Sequence, residues 1–140
     1  MYAFLDRPTI ALSGPQHFLI VSARVWALAA AFRRCPFATL SARFEQVGMA
    51  ETLPHFHRLM VALNTGGLRR MELGPPCRET IDEDEAMLLG LFDAGGQHDA
   101  ALRRAAGALM GDASELPVLV AAVRRVVADT QAAPALKGAL

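Results

Sequence analysis

At 140 residues the chain is sized for one domain, and with 53% apolar residues it can build a core without disulfide staples. Its formal net charge of zero excludes a strong long-range field toward nucleic acid or an anionic membrane, and leaves little repulsion to oppose self-association. Aromatic residues are few, so the core must come from Ala, Leu, Val and Met, which is material for packed helices.

Ser13-Gly14-Pro15-Gln16 opens the first helix: Ser13 is the cap, Pro15 suits the first turn, and Gln16 stands at capping-box spacing. Phe18, Val21, Val25, Leu28 and Phe32 then recur at three and four residues and mark a core stripe. Arg33 and Arg34 sit at the negative end of the helix dipole, and Cys35-Pro36 ends the helix. The apolar run 18–32 is too short to cross a bilayer and carries Arg24 near its middle. Residues 1–8 show no secretion signal. The expected location is the cytoplasm, with no membrane partner.

A second helix carries Phe37, Leu40, Phe44 and Val47 and stops at Gly48, a natural left-handed cap. The third begins near Thr52 and turns Leu53, Phe56, Met60 and Leu63 inward. Residues 68–81, with Gly74-Pro75-Pro76 at their centre, lack helical period and read either as a loop or as a short β-hairpin. Asp82-Glu83-Asp84-Glu85 starts the fourth helix, with Asp82 and Glu85 at capping-box spacing. The fifth runs from about 97 to 110, with Asp99 and Arg103 placed to pair; Gly90 and Gly107 suggest a close crossing of the fourth and fifth. The sixth, capped by Ser114, is apolar on two sides.

The expected fold is therefore mainly α: about six helices in one bundle-like domain over 13–131, after an N-terminal arm (1–12) and before a flexible tail (132–140).

No catalytic or cofactor-binding signature stands out. The run Asp82 to Glu85 reads as helix capping, because four consecutive helical residues splay around the axis. His55 and His57 diverge on a helix and make a poor metal pair. Cys35 and Cys77 are too few for a disulfide framework and are expected reduced and buried. No glycine pair joins a strand to a helix as a nucleotide fold requires. The expectation is a non-enzymatic protein with no cofactor and no metal.

Three functional readings remain. The first is an interaction or regulatory module that binds an unidentified protein partner and forms a homodimer through the last helix, with Leu119, Val123 and Val126 at the interface. The second is a winged helix-turn-helix. Its third helix would enter the major groove with His55 and Arg58, and Arg69 and Arg70 would lie on the 68–81 wing; the zero net charge argues against it. The third is a small-molecule pocket between helices, with polar groups converging on it, His55 and Cys77 being the candidates.

Leu12-Ser13-Gly14-Pro15, Val25-Trp26-Ala27-Leu28, and Cys77 followed by Ile81 to Glu85 and Leu88-Leu89 give the chain a scattered likeness. On them it resembles a class of short, uncharacterised all-helical bacterial proteins. That resemblance implies no activity and carries over no site residues.

Overall fold

The computed structural model describes residues 4–68 and 70–137. The fold is mainly α. Six long helices, α1 (Gly14–Ala31), α2 (Pro36–Gln46), α3 (Leu53–Gly66), α4 (Glu83–Ala94), α5 (Asp99–Leu109) and α6 (Leu116–Ala132), are followed by the short α7 (Pro134–Lys137). Two 3-10 turns, Thr9–Ala11 and Ala113–Glu115, precede α1 and α6. No helix among the described residues is long and apolar enough to cross a membrane.

Local chemistry sets the boundaries. Ser13 and Gln16 close a reciprocal capping box at the start of α1. Gly48 takes φ +74°, which a glycine adopts without a Cβ penalty, and turns the chain from α2 to α3. Pro36, Pro54 and Pro117 occupy first-turn positions whose missing N–H costs nothing. The sixth helix starts differently from the expectation: Asp112, rather than Ser114, accepts from the backbone and caps the 3-10 turn that leads into it.

Packing is organised around α3 and α6. Helix α6 lies against α3, α5 and α4, which explains its two apolar faces: this chain's own helices cover both. Leu119, Val123 and Val126 are each 0% exposed. The placement of these three at a homodimer interface is therefore corrected: they are core, and a second subunit cannot reach them while the domain stays folded. The tail expected to be flexible folds over α1 and α6 in part, with Ala133 and Leu136 buried; residues 138–140 lie outside the described residues.

Helix α1 also departs from its expected face. Its buried positions are Phe18, Leu19, Ile20, Ser22, Ala23, Arg24, Trp26 and Ala29. Of the expected stripe, Val21 and Val25 are only half-buried, Leu28 is 45% exposed and Phe32 70%. A helix apolar nearly all round has no unique stripe. The polar group decides: the Arg24 side chain is fully buried and turns its side of the helix inward.

Arg24 also explains why 68–81 is a loop and not a hairpin. Its Nη1 and Nη2 donate to the carbonyls of Arg78 and Thr80, both at 2.9 Å. The N-terminal arm takes further groups, with Asp6 N–H donating to the Ile81 carbonyl, Ile81 N–H to Arg7, and Thr9 N–H to Glu79. Glu72 and Gly74 N–H donate to the Asp84 and Glu85 carboxylates. The two flanks of Gly74-Pro75-Pro76 are bonded to other elements, and no strand forms among the described residues.

Candidate functional site

The acidic run divides among structural tasks. Asp82 pairs with Arg78, Glu83 is exposed, and Glu85 accepts from Asp82 N–H, Gly74 N–H and Arg24. Burial alone would raise the Glu85 carboxyl's pKa, but hydrogen bonds from Arg24 and from the N–H groups of Asp82 and Gly74 bring it below its ordinary value. Among the described residues no group of three His, Cys, Asp or Glu gathers to hold a metal.

His55 and His57 diverge as their spacing requires, and only His57 gains partners. Trp26 Nε1 donates to His57 Nδ1 at 3.0 Å, and Phe37 meets the imidazole edge-on at 5.6 Å. Burial lowers the His57 pKa. Arg58 is exposed on α3, Arg70 is exposed beyond its end, and Arg69 lies outside the described residues. Cys35 and Cys77 are both exposed, against the expectation of burial, because each sits beside a proline in a connection between helices. Gly90 and Gly107 do not mediate a close helix crossing, since a Cβ on either would meet nothing within 4 Å.

Two grooves lie between helices, and a larger hollow of about 470 Å³ lies between the 47–52 turn and the end of α6. Helix α1 packs on α2, α4 and α7, and α3 on α6 and α2, so the space between α1 and α3 is left as a groove of about 380 Å³. Trp26, Ala27, Ala30 and Ala31 form one wall, Met60, Leu63, Asn64 and Gly67 the other, and Arg70, Met71 and Leu73 close it from the loop. A second groove of about 320 Å³ runs between α4 and α5, among Met87, Gly90, Leu91, Ala105 and Ala108. His55 and Cys77 line neither groove.

The α1–α3 groove adjoins an apolar surface. From Val25 to Phe32 α1 carries no polar side chain, yet Leu28, Ala30, Ala31 and Phe32 are exposed. The helix closes with Arg34 N–H bonded to the Ala29 carbonyl and Arg33 N–H to that of Ala30, which places Arg33 at φ +57°. Arginine in that left-handed position costs about 1 kcal/mol relative to glycine.

The charge around this groove was hidden by the zero total. Glu45 and Glu51 are the only acidic residues between positions 7 and 71, a stretch that holds eight arginines. Neither α1 nor α3 contains a carboxylate. Arg103 and Arg124 pair with Asp99, and Arg125 with Asp129; Arg33, Arg34 and Arg70 have no acidic partner among the described residues. Charge plotted by position, rather than summed, is the signal that marks this half of the chain.

No protein-family model, no curated protein and no solved structure matches this chain.

Proposed function

We propose that this protein is a non-enzymatic interaction module and that the α1–α3 groove, together with the last two turns of α1, receives a segment of a partner protein. The observation that carries the reading is the exposed apolar end of α1 beside an unfilled groove. Leu28 and Phe32 are uncovered there, 45% and 70% exposed, although α1 itself packs on α2, α4 and α7. The groove offers Ala27, Ala30, Ala31, Met71 and Leu73 beside the polar Asn64 and Arg70, a mixed lining suited to an amphipathic helix. The buried polar groups elsewhere support the fold: among the described residues no buried side-chain nitrogen or oxygen lacks a hydrogen-bond partner.

Trp26 is the only tryptophan and lines the groove, so its emission reports occupancy. The probe is an 18-residue helical peptide with leucines at i, i+3, i+4 and i+7 and glutamine on its polar face. Saturable change in Trp26 emission is expected, weakened at least tenfold by Leu28→Ser with Phe32→Ser. An unchanged spectrum, or binding indifferent to that pair of substitutions, contradicts the reading.

A further inference from the structure

We infer that the segment received by this groove is an acidic amphipathic helix. The inference rests on the groove being a protein-docking site, and it adds the chemistry of the occupant.

The occupant's shape follows from the fold. An extended peptide binds well by adding to an open sheet edge, and the described residues form no sheet. The apolar end of α1 runs over eight residues, about 12 Å of helix axis, of which Leu28, Ala30, Ala31 and Phe32 are exposed, and the small side chains of Ala27, Ala30 and Ala31 let a second helix approach closely. A partner helix of three or four turns matches that bed.

The occupant's charge follows from the rim. Arg70 lines the groove, and Arg33 and Arg34 continue directly from its α1 wall. No carboxylate lines the groove among the described residues. An ordinary explanation is available for arginines after a helix, namely complementing its negative end. It does not account for Arg33, which keeps a long charged side chain in the left-handed position where glycine is favoured.

The same arginines select against the other occupants. A symmetric dimer through this face would bring together two surfaces that carry arginines and, in the groove, no carboxylate to pair with them. Nucleic acid would meet three cations but would leave the exposed Leu28 and Phe32 and the half-buried Met71 facing a polar, charged ligand. Those apolar residues favour a ligand with one oily side and one acidic side.

The test compares three versions of the peptide, identical in their leucine stripe and carrying glutamate, glutamine or lysine on the polar face. Binding is read by Trp26 emission and by protection of Cys35 from maleimide, with Cys77 as the internal control, since both thiols are exposed. The glutamate peptide should bind about tenfold tighter than the glutamine peptide at low salt. The advantage should shrink at 0.5 M salt and vanish in Arg33→Gly with Arg34→Ala and Arg70→Ala, a variant checked for folding by circular dichroism. Equal binding of the glutamate and glutamine peptides overturns the acidic partner and leaves the docking groove standing. Failure of all three overturns both readings. Tighter binding of a generic single-stranded or duplex oligonucleotide through the same arginines, or self-association abolished by Phe32→Ser, overturns the inference in favour of nucleic acid or a second copy.

Discussion

Arg24 Nε lies 2.6 Å from Glu85 Oε2, and neither side chain is exposed to solvent at all. The pair joins the middle of α1 to the first turn of α4, and through the Arg78 and Thr80 carbonyls it also holds the long loop that floors the candidate groove. Leaving either charge alone in the interior is costly, because its desolvation is no longer offset. Arg24→Met should therefore destabilise the protein by about 3–5 kcal/mol in urea denaturation. A loss below about 1 kcal/mol would show that the pair does not organise the loop.

The same pair sets an acid limb. The Glu85 pKa in the folded chain is lowered from its ordinary 4.5, so the unfolded chain binds more protons as the solution is acidified. The stabilisation is present above that ordinary value and is lost as pH falls through the folded value. Glu85→Gln should lower stability at neutral pH and flatten its dependence on pH below about 4.5. Parallel acid limbs in the parent and the variant would contradict this assignment.

Val126 discriminates core from interface. Glutamate there would be an unpaired charge between α6 and its neighbours, so Val126→Glu should unfold the domain or cost several kcal/mol, read by thermal melting. A folded monomer with an unchanged melting temperature would restore α6 as a subunit interface.

Two glycines should respond oppositely to alanine. A Cβ at Gly95 would stand 2.8 Å from methyl groups of both Val123 and Val127, so Gly95→Ala should destabilise by about 1–3 kcal/mol. Gly90 lies inside α4 with open space beside it, and Gly90→Ala should stabilise by about 0.5–1 kcal/mol. The same sign at both sites would contradict the packing described for α4 and α6.

His57 accepts the Trp26 indole N–H on Nδ1, which its neutral form allows and its protonated form does not. Burial lowers its pKa in the folded chain, so the unfolded chain binds the proton first. Stability should hold above about pH 6.5 and decline as pH falls through the folded value, with a matching change in Trp26 emission. A titration of that emission centred above pH 6.5 would contradict the contact.

Most helix ends were legible because their causes are local: Ser13 with Gln16, Gly48, and the first-turn prolines act within one turn of themselves, whereas the cap before α6 falls to Asp112 and not to Ser114. The orientation of α1 was not. Phe18, Val21, Val25, Leu28 and Phe32 form a valid stripe, but the helix is apolar on the opposite side too, and only the distant Glu85 selects between them. Arg24 was visible as an oddity that argued against a membrane span; its partner lies 61 residues away and has no sequence signature. The apolar excess of α6 is plain in the sequence, but the burial of Leu119, Val123 and Val126 under α3, α4 and α5 depends on tertiary packing that one segment does not reveal. The loop at 68–81 was recognised as non-helical, while its bonding to α1 and the N-terminal arm depends on tertiary contacts alone. The candidate groove was invisible for the same reason: a gap between helices belongs to no one segment.

The most direct test of the docking surface is a ¹H–¹⁵N shift map of the whole chain titrated with the glutamate-faced peptide. The account predicts shifts concentrated at residues 26–34, 60–67 and 70–73, with α4 and α5 silent. Shifts centred instead on Met87, Gly90, Ala105 and Ala108, or no shifts at millimolar peptide, would contradict it.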